Sequence, residues 1–167
     1  MMIKPFESIN RSRNKPGKRT TRISGRFTLP LERRLVWSAL NDPKVLEYCI
    51  RGCERVSIDD SGEYHAEFDF GVGPIRKKLL ARLTVEEVSP PAHYALNSVL
   101  ITRRMGKASG RALVMLDEME RGTQLDYAAD IIVDGWFAIL GEDALHAAAG
   151  RYMGLFFERF VYLVEQA

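Results

Sequence analysis

The chain has 167 residues, 46% of them hydrophobic, which suits one domain with a core of its own. Two cysteines are too few for a disulfide scaffold, no run of about 18 apolar residues could span a bilayer, and no apolar leader opens the chain, so the reducing cytoplasm is the expected compartment. The net charge of +2 conceals an asymmetry: residues 1–22, MMIKPFESINRSRNKPGKRTTR, hold seven Lys or Arg against Glu7 alone, leaving the remainder net acidic.

That first segment reads as a disordered basic arm, because it is rich in charge, poor in apolar residues and broken by Pro16 and Gly17. The domain is expected over residues 23–167. RISGRFTL, residues 22–29, alternates as a first strand, and LERRLVWSAL after Pro30 has helical spacing with Leu31, Leu35, Trp37 and Leu40 apolar. In NDPKVLEYC, Asn41 or Asp42 caps a second short helix, Pro43 takes its first position, and Gly52 is placed to end it. Cys49 therefore falls on a helix end and Cys53 just past a turn.

Period-two patterns follow. Tyr64, Ala66, Phe68, Phe70 and Val72 share one face, Gly73-Pro74 turns the chain, and Leu79, Ala81, Leu83 and Val85 alternate on the return. AHYALNSVLI, GKASGRALVML and TQLDYAADIIV read as three more strands of an antiparallel meander. From Gly135 to the end there is no proline, and the aromatic stripe of Tyr152, Phe156, Phe157 and Phe160 predicts a single long helix lying on the sheet. At 1.5 Å per residue it would reach roughly 45 Å.

Chemistry is hard to place on this framework. Cys49 and Cys53 lack the partners for a zinc site and the spacing of a redox pair, so no metal is expected and the segment reads as a bend. His65, His93 and His146 do not assemble, and no nucleophile motif, Walker loop or dinucleotide loop is present. A cavity has better support. Gly106, Ala108, Gly110 and Ala112 make one strand face unusually small, opposite a helix carrying Ala144, Ala147, Ala148, Gly150 and Gly154. Phe68, Phe70, Leu83, Leu96, Tyr127, Ile131, Tyr152 and Phe156 either fill the space as an ordinary core or line a tunnel for an apolar ligand.

The element order is similar to the helix-grip, START-like fold of the SRPBCC superfamily: an α+β domain whose curved antiparallel sheet wraps a long C-terminal helix, with two short helices after the first strand. More narrowly, GRFTLPLERRLVWSALNDPKVLEYCIRGCERV, FGVGPIRKKLLARLTV, SPPAHYAL, GTQLDYAADIIVDG and FFERF resemble the CoxG family, named for the CoxG subunit of carbon monoxide dehydrogenase, over roughly residues 23–164. Arg51 stands where that family usually has proline. The resemblance implies a non-catalytic protein without cofactor that binds a lipid or an isoprenoid quinone. It would serve membrane recruitment of, or quinone delivery to, a carbon monoxide dehydrogenase-type molybdenum hydroxylase at the inner face of the cytoplasmic membrane.

On that reading the ligand site comprises the eight apolar and aromatic residues named above with Gly110 and Ala112 as small wall residues. Tyr94, Ser98, Tyr127 and Tyr152 are the inward polar groups. Arg11, Arg13, Lys15, Lys18 and Arg19 would touch an anionic membrane or an acidic partner. The alternatives are a polyketide cyclase or aromatase of the same fold, and an assembly factor without ligand. Nucleic acid is not expected, since RSRNKPGKRTTR offers no aromatic ring to stack on bases.

Overall fold

The computed structural model describes residues 18–72, 74–102 and 106–167. Its elements are β1 (Arg19–Leu29), α1 (Arg33–Leu40), α2 (Pro43–Cys49), β2 (Cys53–Ile58), β3 (Tyr64–Val72), β4 (Ile75–Ser89), β5 (His93–Thr102), β6 (Gly106–Met119), β7 (Gly122–Val133), α3 (Gly135–Leu140) and α4 (Glu142–Gln166). The seven strands form one antiparallel sheet in the order β1-β7-β6-β5-β4-β3-β2. A meander produces that order when its first strand, set apart by two helices, closes against its last. The chain thus has the α+β helix-grip architecture.

Three boundaries differ from the sequence reading. β1 starts at Arg19, where the arm was expected to continue to residue 22, because the strand is held by β7 in register from Arg19↔Val133 to Leu29↔Thr123. Its charges face outward, and Arg22 and Arg26 reach Asp130 and Asp126 at 3.0 and 2.7 Å. In α1, Val36 and Ala39 are the buried residues and Leu35 is exposed, since the helix begins only at Arg33 and its phase turns Leu35 away. The long helix is two helices, broken at Gly141 with φ +83°, a conformation that glycine adopts without a Cβ clash.

The bend between the cysteines is steric. Asp42 caps α2 by accepting from the Lys44 N–H at 2.9 Å, and Gly52 then turns the chain with φ +72°. A Cβ there would lie 2.8 Å from the Asp69 carbonyl. Both thiols are free. Cys49 is fully buried, and burial pushes its thiol up to about 11.

Two main clusters fill the space between sheet and helices. At the end carrying α1 and α2, Leu29, Val36, Leu116 and Leu125 pack against Phe157, Phe160 and Val164 of α4. At the other end, Leu79, Ala108 and Val133 are capped by Trp136 and Phe137 of α3. Inner-face residues packed against these clusters, Leu96 against the first and Leu100 and Ile131 against the second, are only half-buried. No described helix is long and apolar enough to cross a membrane.

Candidate ligand cavity

A half-enclosed cavity of about 150 Å³ lies between the inner sheet face and α4, on the side of α1 and α2. The period-two pattern of the strands aims Leu83, Val85, Leu96, Val114 and Leu125 into it. α4 supplies Met153, Phe156 and Phe157, and Leu40, Asn41 and Leu46 of the two short helices close one side. The volume is that of a single small aromatic ring, since engineered apolar cavities of about 150 Å³ bind benzene.

Polar atoms are few. Tyr64 donates its hydroxyl to the Asn41 carbonyl at 2.8 Å, and the Asn41 amide donates to the Trp37 carbonyl at 2.8 Å, so these two wall residues satisfy each other and the helix end. Tyr94 is 5% exposed and meets Trp37 edge-on at 5.1 Å, while Tyr127 stacks with Phe27 at 6.2 Å. Neither the Tyr94 nor the Tyr127 hydroxyl makes a hydrogen bond among the described residues. Burial raises the pKa of both phenols, which therefore stay neutral and keep a proton to donate. Tyrosine is the sole titratable residue type in the lining.

Gly25 sets the position of Tyr127. A Cβ at Gly25 would fall 2.7 Å from Tyr127 Cε1 and its hydroxyl oxygen, so the ring lies across β1 where a side chain is missing. The strand pairing Gly25↔Tyr127 brings the two together. Sequence reading passed over Gly25, whose only signal was a glycine inside an alternating strand.

Of the residues expected at the site, Leu83, Leu96, Tyr127 and Phe156 line the cavity together with Tyr94. Phe68, Phe70 and Ile131 belong to the cluster capped by Trp136 and Phe137. Tyr152 stacks on Phe70 at 4.7 Å and accepts from the Gly71 N–H at 2.8 Å, a structural engagement. Gly110 and Ala112 lie outside the lining. Gly110 is small for another reason, because a Cβ there would run into the Asp130 carbonyl of β7. Gly150 and Gly154 of α4 meet nothing within 4 Å of a built Cβ, so they mark no close helix contact. Arg11, Arg13 and Lys15 fall outside the described residues; Lys18 precedes β1, and Arg19 lies within it.

One cluster went unread in the sequence. At the β2–β3 turn, His65 Nε2 lies 2.8 Å from Asp59 Oδ2 and 3.2 Å from Glu63 Oε1. Hydrogen bonds from Ser61 and then His65 hold the Asp59 carboxyl well below the usual range. Each of the three offers one donor atom within 4.8 Å of the others, but Asp59 Oδ1 is already engaged by Ser61 and Glu63.

The family model of CoxG, the CoxG subunit of carbon monoxide dehydrogenase, matches residues 25–161. The chain belongs to the CoxG family. Among solved structures, a conserved protein from Geobacillus kaustophilus is 26% identical with a TM-score of 0.81, covering 87% of this chain and 96% of its own. An uncharacterized protein from Rhizobium leguminosarum (10% identity, TM-score 0.67) covers 90% of this chain and 97% of its own. The ZhuI aromatase/cyclase from Streptomyces sp. R1128 (17% identity, TM-score 0.64) covers 89% and 95%. These last two show the shared helix-grip fold. No curated protein matches the sequence.

Proposed function

We propose that this CoxG-family protein binds, without transforming it, an apolar molecule whose carbonyl-bearing ring enters the cavity; an isoprenoid quinone has that chemistry. The observation that carries the reading is an apolar wall interrupted by two neutral phenols, Tyr94 and Tyr127, whose protons have no acceptor among the described residues. A quinone carbonyl would accept from them. With about 150 Å³ available, the ring is inside and an isoprenoid tail runs along the half-buried inner-face residues. A cyclase reading has the fold of ZhuI in its favour, but this lining supplies no carboxylate or imidazole as general base.

Family membership extends the proposal. The bound quinone would serve a carbon monoxide dehydrogenase-type molybdenum hydroxylase at the cytoplasmic membrane, with the basic arm drawing the domain toward anionic headgroups. Trp37, edge-on to Tyr94, reports the cavity, because a quinone placed there quenches its fluorescence. Tyr94→Phe and Tyr127→Phe should each weaken short-chain quinone binding by roughly threefold to tenfold, the range of one hydrogen bond. Wild-type affinity in both variants would remove the phenols from the site.

A further inference from the structure

The cavity lining holds hydroxyl protons in excess of strong acceptors. Its polar side chains are those of Asn41, Tyr64, Tyr94 and Tyr127, and Met153 adds only a thioether, a weak acceptor. The strand backbone adds none, because β4, β5, β6 and β7 each have a hydrogen-bonded neighbour on both sides and the ladders take their carbonyls. Tyr94 and Tyr127 each keep a proton with no acceptor among the described residues. The oxygens still able to accept strongly, Asn41 Oδ1 and the Tyr64 hydroxyl, share one corner, since Tyr64 donates at 2.8 Å to the carbonyl of Asn41 itself. The Asn41 amide, donating at 2.8 Å to the Trp37 carbonyl, pins that side chain to α1.

Two-electron reduction of a quinone places a proton on each carbonyl oxygen, so two pure acceptors become two hydroxyls at opposite ends of the ring. The oxidised ring matches this lining: each tyrosine proton meets an acceptor, and no proton is left over. A quinol brings two protons more. One can reach the corner of Asn41 and Tyr64. The other, at the far end of the ring, faces apolar wall, or it takes a tyrosine oxygen and displaces that tyrosine's own proton. Either way a donor is enclosed without a partner, and an unmade hydrogen bond in an apolar site is costly.

We infer that the cavity discriminates by oxidation state, holding a quinone on the order of tenfold more tightly than the corresponding quinol. This selectivity presupposes that the cavity takes a quinone, as proposed, and it gives the carrier a direction. The protein loads the oxidised ring and loses its grip once a partner enzyme has put two electrons and two protons on it. The reaction it serves is then one that consumes quinone as electron acceptor and yields quinol. By linkage, tenfold tighter binding of the oxidised form lowers the potential of the bound two-electron couple by about 30 mV relative to the free one.

Anaerobic titration calorimetry measures both affinities, with a short-chain quinone and with its dithionite-reduced quinol. The ring should be substituted at every position, so that neither free thiol adds to it. For the full-length wild type the quinol Kd should exceed the quinone Kd by about tenfold or more. The double variant Tyr94→Phe/Tyr127→Phe should weaken quinone binding more than quinol binding, so that the ratio of the two falls several-fold. Its fold is kept, because neither hydroxyl bonds to the protein. Equal affinities in the wild type, or tighter binding of the quinol, would overturn the selectivity while leaving the quinone site standing. An unchanged ratio in the double variant would trace the preference to the apolar wall and overturn the role of the phenols. Binding of neither form would refute the quinone site itself, and the selectivity with it.

Discussion

Tyr127 owes its place in the cavity to a residue it faces across the sheet. Because Gly25 has no side chain, the phenol lies over β1, stacked with Phe27, and its hydroxyl stays free for a ligand acceptor. Cys49 shows the opposite use of burial. Its thiol has no exposed surface and is pushed from 9.0 up to about 11, whereas Cys53 is half-buried. A thiol-specific disulfide reagent at pH 8 should therefore modify Cys53 in the native protein and Cys49 only as fast as the protein unfolds. The pH consequence follows from the raised value. The native state retains a proton that the unfolded chain loses near pH 9, so stability is intact below pH 9 and declines as pH rises toward 11. Prompt labelling of both thiols in folded protein would contradict this burial.

At the scale of elements, α3 and α4 divide the work. The break at Gly141 frees α3 to cap one end of the groove with Trp136 and Phe137, while α4 walls the cavity at the other end. Phe137→Ala should then cost about 3–5 kcal/mol in chemical denaturation, as for large-to-small changes in a core. Affinity for a quinone ring without a tail should stay near wild type, because Phe137 packs in the other cluster and does not line the cavity. The division was not legible in the sequence, where the absence of proline after Gly135 and the aromatic stripe from Tyr152 to Phe160 read as one helix. The strands were legible where each has one wet face: the alternations of β3 and β4 placed Leu83 on the inner side correctly. β1 was cut short because Arg19 and Arg22 look like more of the arm, and only pairing with β7 shows that they are edge-strand charges. Asn41 and Leu46 were missed at the cavity since nothing local marks which side of a short helix meets a distant strand.

For the whole molecule, the closure of β1 on β7 brings the first and last strands of the sheet together and leaves a half-enclosed cavity between the inner sheet face and α4. That incompleteness is the central point: an ordinary core would have filled the space beside Leu83 and Leu96. Two added rings should fill it. Leu83→Phe/Leu96→Phe is expected to remain folded, at an overpacking cost of about 1–3 kcal/mol. Native mass spectrometry of wild type and this variant, each incubated with a short-chain isoprenoid quinone, is the most direct measurement. The expected result is a one-to-one complex for the wild type and none for the folded variant. Equal binding by the two, or no complex with the wild type, would contradict it.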